Sequence, residues 1–292
     1  LIIARVFQGL GVSFGQVLAR AVIRDLHTPA QTPRVMAYST TIMGITSLIS
    51  PNIGAVIVVT VGWRIVFGLL TLYALSLVLI VLARFDESIP ARDMKAVQPL
   101  QLFHNFAILL KDAGFTRYAI SVSCIFGLLF SFVFSAPFVF VDVLGVPTAK
   151  FGLVFTAVGG AFVVASAITG RVVSPERTPT IFLVALISAS IGGAVVLVIA
   201  VLAPSVVGLI IPLMVITFSM GFIVPIGFAQ SMANHPQIAG TASTLVGFMQ
   251  GIFGATMGAL TGILFDDTPV PMAAIIATLS TLALVSYLFI RP

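Results

Sequence analysis

The sequence predicts an all-α polytopic membrane protein. Of its 292 residues, 59% are hydrophobic and only 8% are charged, whereas a soluble domain carries about 25% charged residues. The mean hydropathy of +1.20 is correspondingly high. Long apolar runs exclude a disordered or collagen-like chain, and the alternating ten-residue segments typical of an outer-membrane barrel do not occur in the sequence.

Nine apolar runs are long enough to cross a bilayer, for which a helix needs about 20 residues. Residues 178–265 contain no Asp, Glu, Lys or Arg, so proline-containing turns must separate the spans there, because proline lacks a backbone donor. The predicted spans are residues 1–23, 36–60, 64–83, 118–141, 150–170, 179–203, 206–230, 238–264 and 271–290.

The longest polar segment, residues 84–117, predicts the domain organisation because it separates three spans from six. Residues 1–83 are predicted to be the remainder of an N-terminal half, and residues 118–292 a six-helix C-terminal half. The segment between them is predicted to be a cytoplasmic linker. Within it, the apolar stretch from Pro99 to Leu110 is predicted to be a helix that lies along the membrane interface.

Basic residues predict the orientation in the membrane. With a cytoplasmic C-terminus, eleven of the 14 Lys and Arg residues face the cytoplasm, and only Arg64 and Lys150 face outward. Cytoplasmic loops of membrane proteins carry such an excess, so the formal net charge of +5 needs no nucleic-acid partner. The single cysteine, Cys124, excludes an internal disulfide and a Cys-rich metal site. We expect no cofactor and no metal.

Arg5 is the most informative single residue, because a guanidinium group within the hydrocarbon costs at least about 2.5–3.5 kcal/mol. Its side chain must face a cavity or a partner, unless it snorkels to the interface. Gln8 and Gly9 follow at i+3 and i+4 on the same side of the helix, and Gly11 continues that side with a small residue. From the residues alone, the functional interpretation of Arg5 and the snorkelling one both stand.

Three phenylalanines recur at every fourth residue, Phe126, Phe130 and Phe134, ahead of Pro137. This spacing places the rings on one face of a helix. The three phenylalanines and Pro137 are candidates for lining a drug cavity, because such pockets are mostly apolar and aromatic. The alternative is packing in the core or against lipid, since the chain holds 24 phenylalanines.

The first predicted span resembles part of the major facilitator superfamily. The pattern Leu1-x-x-x-Arg5-x-x-Gln8-Gly9-x-Gly11 is similar to motif B on helix 4 of those transporters. Of the motifs in this chain, it is the most specific match. In this match, Arg5 coincides with the arginine of motif B.

The second predicted span resembles motif C, the antiporter signature on helix 5 of the same family. The pattern is Thr46-x-x-x-Ser50-Pro51-x-x-Gly54-Ala55, in which small residues replace the usual glycines at three positions. Proline bends a helix and glycine allows close packing, so such a helix can seal the route between the cytoplasm and a cavity. The alternative is an ordinary packing kink.

Shorter matches are similar to the Bcr/CflA branch of the superfamily, which includes bicyclomycin and chloramphenicol-type efflux proteins. Gly170-Arg171, with Glu176-Arg177, resembles the degenerate motif A between helices 8 and 9. The other matching stretches are Arg20 to Asp25, Gly62-Trp63-Arg64 and Ser135 to Val139.

The resemblance implies helices 4–12 of a twelve-helix major facilitator fold, in a chain shortened at its N-terminus. It implies a monomeric exporter of the bacterial inner membrane, not an enzyme, that moves small amphipathic drugs in exchange for protons. Proton coupling would involve Arg5, Gln8, Gly9 and Gly11; the gate would involve Ser50, Pro51, Gly54 and Ala55; and Arg24, Asp25 and Arg171 would be charges of the cytoplasmic gate.

The acidic residues argue against proton coupling by these spans alone. All nine lie in loops or at the ends of spans, whereas proton-driven carriers hold a membrane carboxylate whose pKa is raised by burial. The resemblance places that carboxylate on helix 1, which would precede Leu1. Otherwise the protein couples transport differently.

The residues leave two alternative functions open. A nutrient symporter or uniporter would share the fold, but the resemblance to motif C and the apolar spans argue against it. A membrane receptor or enzyme would need a catalytic set of His, Asp and Ser at one depth, which the sequence does not provide. HExxH, CxxC and P-loop patterns are likewise missing from the sequence.

Overall fold

The computed structural model describes residues 60–84, 99–174, 176–235 and 238–290, together with residues 7–9, 11, 12, 15, 19, 22, 42–46, 49, 50, 53, 54 and 56–58. The described residues that precede Gly62 are helical. The predicted spans 1–23 and 36–60 therefore lie largely outside the described residues. The chain divides into two compact units, Leu1–Met94 and Lys95–Pro292.

From Trp63 onward the described chain forms helices and no strand, which confirms the all-α prediction. Within the described part of the chain, seven helices are long and apolar enough to cross a membrane, and they correspond to the last seven predicted spans. The helices are α1 (Trp63–Arg84), α2 (Pro99–Lys111), α3 (Ala113–Pro137), α4 (Thr148–Val172), α5 (Thr178–Leu202), α6 (Val206–Ala233), α7 (Ala239–Ile263) and α8 (Val270–Phe289), and a π-helix, Phe138–Val143, continues α3.

Helix α3 begins at Ala113, so the start predicted at residue 118 was wrong. Asp112 is its N-cap, and the Asp112 carboxylate accepts a hydrogen bond from the Gly114 amide at 2.8 Å. This bond satisfies one of the free amides at the helix start. Arg117 therefore lies inside α3 and not in a loop. Its charge is accommodated because its guanidinium group faces the rings of Tyr118 and Tyr287.

In the unit Lys95–Pro292, α3 is the central helix and packs against α6, α7 and α8. Helix α6 also packs against α4 and α5, and α8 packs against α5. The core between these helices is apolar. Its largest fully buried side chains include Phe115, Ile125, Phe140, Phe182, Ile216 and Met272.

Two buried threonines join α4 to α6 through the backbone. The Thr169 hydroxyl donates to the Gly221 carbonyl at 2.9 Å, and the Thr217 hydroxyl donates to the Val158 carbonyl at 2.7 Å. Without water, helix association depends on close packing and on such interhelical bonds. The two bonds therefore set how closely α4 and α6 approach each other.

The close approach predicts that Gly221→Ala destabilises the fold. A Cβ atom at Gly221 would lie 2.8 Å from the Ser166 backbone nitrogen and 2.9 Å from the Phe162 carbonyl oxygen. Backbone atoms cannot move aside cheaply, so we expect a loss of about 1–3 kcal/mol. Thermal unfolding in detergent measures it. The control is Gly251→Ala, where a Cβ would meet no heavy atom within 4 Å; equal melting temperatures for the two variants would contradict the prediction.

Candidate functional site

The residues that resemble motif B are described in part. Gln8, Gly9 and Gly11 are helical and exposed, and a Cβ atom built at either glycine would have no heavy atom within 4 Å. Arg5 lies outside the described residues, as do Arg24 and Asp25. The helical conformation predicted for this stretch is present at the three described positions.

In the stretch that resembles motif C, two hydroxyl groups bond back to their own helix. The Ser50 hydroxyl donates to the Thr46 carbonyl at 2.6 Å, and the Thr46 hydroxyl donates to the Ile42 carbonyl at 2.8 Å. Such bonds to the residue four positions earlier often bend a helix. Gly54 is helical and half-buried, while Pro51 and Ala55 lie outside the described residues.

The three predicted phenylalanines form a continuous row along α3, which we call the aromatic row (Phe126, Phe130 and Phe134). The ring centroids of Phe126 and Phe130 are 5.7 Å apart, and those of Phe130 and Phe134 are 5.8 Å apart. Phe134 is 52% exposed. Pro137 is exposed at the end of the same helix. The aromatic row therefore has a face that is not enclosed by its own helix bundle.

The other side of the aromatic row packs against glycines of α7. A Cβ atom at Gly254 would lie 3.1 Å from the Phe130 ring, and one at Gly258 would collide with the Phe134 ring. The two rings therefore fill the space that these glycines leave. The aromatic row thus joins α3 to α7. Core packing, which was the alternative to cavity lining for these phenylalanines, therefore accounts for one side of the rings.

Helix α7 also has glycines that face open space. At Gly247 and Gly251, a Cβ atom would have no heavy atom within 4 Å. Beside them lies Gln250, which is 6% exposed and whose Nε2 atom is buried without a hydrogen-bond partner. No motif or repeat in the sequence includes Gln250. The available signal was the one amide side chain in the apolar stretch from 238 to 264.

A hydrogen-bonded pair connects the start of α3 to the turn between α6 and α7. The His235 Nε2 atom lies 2.7 Å from the Asp112 Oδ2 atom. Burial opposes ionisation of Asp112, but the hydrogen bonds from His235 and from the Gly114 amide outweigh burial and lower the pKa of Asp112 below 3.8. The carboxylate is therefore held ionised, and its hydrogen bonds connect the start of α3 to the turn between α6 and α7.

The lowered pKa predicts a pH dependence of stability. A carboxyl group with a lower pKa in the folded state stabilises the protein above its unfolded pKa, and this stabilisation is lost as the pH falls through the folded value. Asp112→Asn keeps a capping side chain but removes the charge. We expect its melting temperature to lie below that of the unchanged protein at pH 7, and the difference to shrink below about pH 4.

The matched variant Asp112→Ala removes the cap as well as the charge. It is expected to cost about 0.5–2 kcal/mol more than Asp112→Asn, because a helix start without its cap leaves an amide unbonded. Thermal unfolding in detergent at pH 7 and pH 3 measures both variants. If the Asn variant and the unchanged protein differ by the same amount at the two pH values, the carboxylate contributes nothing through its charge.

The basic residues of this unit differ in their surroundings. The Arg117 guanidinium carbon lies 4.8 Å from the Tyr118 ring centroid and 5.1 Å from the Tyr287 ring centroid. Cations gain from such contacts with aromatic faces. Arg171, a predicted gate charge, is exposed in the last turn of α4. The structure thus places Arg171 at a helix end, where a positive charge complements the helix dipole.

Comparison with known proteins gives a family match and several relatives. A model described as the Major Facilitator Superfamily matches residues 1–259. The chain is 29% identical over 277 residues to MFS-type transporter YdgK of Bacillus subtilis, covering 94% of this chain and 69% of that protein. It is 27% identical to the bicyclomycin resistance protein homolog of Haemophilus influenzae, covering 98% and 72%. It is 24% identical to the chloramphenicol resistance protein of Pseudomonas aeruginosa, covering 96% and 66%.

Proposed function

This chain belongs to the major facilitator superfamily, and from that premise we propose that it exports small amphipathic drug-like compounds in exchange for protons. The chain is a multi-pass membrane transporter and not an enzyme. The observation that carries the proposal is the group of relatives named for resistance to bicyclomycin and chloramphenicol.

The chemistry of the spans supports drug export over nutrient uptake. Residues 178–265 carry no charged side chain, and the aromatic row offers rings with one open face. Apolar and aromatic walls bind drug-like molecules through buried area and need few polar groups. A sugar carrier would be expected to present many more hydrogen-bonding side chains at this depth.

The proposed roles of the motif residues follow from charge and shape. Arg5, placed within the membrane, would tune the proton affinity of the proton-binding site or relay its protonation state. The helix with Ser50, Pro51 and Gly54 would form the gate, since the bond from Ser50 to Thr46 and the proline both favour a bend. Exchange requires that this gate never leaves the path open to both sides.

Transport in inverted vesicles tests the proposal. The native gene product is produced in a bacterial strain without its own drug exporters, and chloramphenicol uptake is followed after the vesicles are energised. We expect uptake that collapses when a protonophore removes the proton gradient, and proton release from the vesicle lumen when chloramphenicol is added. Uptake that survives the protonophore would contradict exchange for protons. No uptake of any of a panel of neutral and cationic drugs would contradict drug export.

A further inference from the structure

We propose that Gln250 is a specificity-determining residue that hydrogen-bonds a polar group on the transported compound, an uncharged aromatic molecule with a carbonyl or hydroxyl group. The inference rests on the proposed export function and assigns a substrate class to it. Nothing in the sequence motifs points to this residue. Its buried amide and its neighbours carry the argument.

The amide of Gln250 is the starting point. Gln250 lies at the middle of α7, Ala239–Ile263, and only 6% of the residue is exposed. Its Nε2 atom has no hydrogen-bond partner. A buried polar group without a partner is costly, and native proteins rarely keep one without a use. A transported compound is a partner that is present in only part of the cycle.

Other buried polar groups between α3 and α7 are paired, which makes Gln250 different from them. Thr261 of α7 is 1% exposed, and its hydroxyl lies 2.7 Å from the Ser131 hydroxyl of α3. The Thr261 hydroxyl also donates to the Met257 carbonyl. The same helix pair therefore satisfies Thr261 completely and leaves the amide nitrogen of Gln250 unsatisfied.

The register of the two helices places Gln250 level with the aromatic row. Phe130 contacts Gly254 and Phe134 contacts Gly258, so α3 and α7 run in the same direction along this contact. One turn earlier on each helix are Phe126 and Gln250. A molecule that stacks on the open side of the aromatic row is therefore within one helical turn of the amide.

Space for such a molecule is available next to Gln250. Gly247 and Gly251 lie three residues before and one residue after Gln250, and apart from chain neighbours and the backbone of α7 a Cβ atom at either glycine would have no heavy atom within 4 Å. A binding site for a small molecule combines apolar walls with a few polar groups that fix orientation. Here the walls are rings and glycines, and the polar group is the amide.

The charge of the surroundings defines the class of compound. Residues 178–265, which include all of α7, hold no carboxylate and no basic side chain. A cation placed beside Gln250 would lack a counter-charge from these spans and would lose its hydration. An amide instead offers a donor and an acceptor to neutral groups. The compound is therefore expected to be uncharged where it contacts α7.

The test compares Gln250→Met with Thr261→Val in the native gene product. Methionine has nearly the size of glutamine and no hydrogen-bonding group. We expect Gln250→Met to keep or raise the melting temperature, because it removes an unsatisfied group, and Thr261→Val to lower it. A clear loss of stability in Gln250→Met would show that the amide already has a structural partner and would overturn the proposal.

Transport kinetics provide the second measurement. For chloramphenicol, which is neutral and carries an amide and hydroxyls, Gln250→Met is expected to raise KM about tenfold with kcat unchanged, since the loss of one hydrogen bond is of that order. A neutral aromatic compound of similar size without oxygen or nitrogen acceptors gives the Gln250 Nε2 donor nothing to bond, so its KM should be the same for the unchanged protein and for Gln250→Met. Thr261→Val should leave both KM values as they are.

The outcomes separate the two levels of the proposal. If the unchanged protein transports the panel of neutral drugs but Gln250→Met alters no KM, Gln250 has no part in recognition and the inference is overturned. If Gln250→Met affects only cationic drugs, the substrate class is wrong. If the unchanged protein transports nothing, the export function fails first, whereas the thermal comparison still decides whether the amide lacks a partner.

Discussion

Substitution of Arg5 by alanine is expected to abolish energised drug efflux while the protein still inserts into the membrane. A guanidinium in the hydrocarbon costs at least about 2.5–3.5 kcal/mol, and an arginine that only snorkels would be replaceable without loss of transport. The motif B pattern, with Gln8 and Gly9 on the same helix face, favours a functional charge. Efflux in inverted vesicles, normalised to the amount of protein, measures the effect.

Two further variants sharpen this experiment. Arg5→Lys is expected to recover only part of the activity, because lysine keeps the charge but lacks the planar fork of guanidinium donors. Arg64→Ala is the matched control, since Arg64 is exposed and its guanidinium carbon lies 4.7 Å from the Trp63 ring. Wild-type efflux by Arg5→Ala at an equal protein level would show that Arg5 snorkels.

The spans were predictable because the bilayer imposes a length and a composition on them. The Pro204-Ser205 break illustrates this: in a stretch without charges it predicted a boundary between 203 and 206, and α5 ends at Leu202 while α6 begins at Val206. Ser205 caps α6, since its hydroxyl accepts a hydrogen bond from the Gly208 amide. Local chemistry of this kind can be recognised from the residue types in a sequence.

The start of α3 and the contents of the candidate site were less predictable, because they depend on partners far along the chain. The Arg117 guanidinium inside α3 meets the ring of its neighbour Tyr118 and also that of Tyr287, 170 positions later. His235 lies in the turn after α6, and the fold brings it to Asp112, which is 123 positions earlier in the chain. Spacing alone put Phe126, Phe130 and Phe134 on one face, but it did not indicate the glycines of α7 that the rings contact.

The second large effect is expected from the combined substitution Pro51→Leu and Gly54→Leu. We expect loss of exchange or an added proton leak without loss of expression, because the larger side chains would prevent the gate helix from packing closely against its neighbours when the gate closes. Drug resistance of cells and passive proton entry into vesicles measure the two effects. Unchanged values of both would show that this stretch is passive packing.

A smaller substitution tests whether the gate changes its packing during transport. A Cβ atom at Gly54 would have no heavy atom within 4 Å, so Gly54→Ala fits the conformation described here and is expected to leave the melting temperature unchanged. If the helix packs closely only in another state of the cycle, Gly54→Ala will lower the exchange rate despite that unchanged stability. A variant with both properties unchanged would indicate that no state of the cycle brings a neighbour against Gly54. A variant with a lowered melting temperature would mean that a neighbour already packs against Gly54 in the resting state. Thermal unfolding starts from the resting state, so it detects only contacts that are present there.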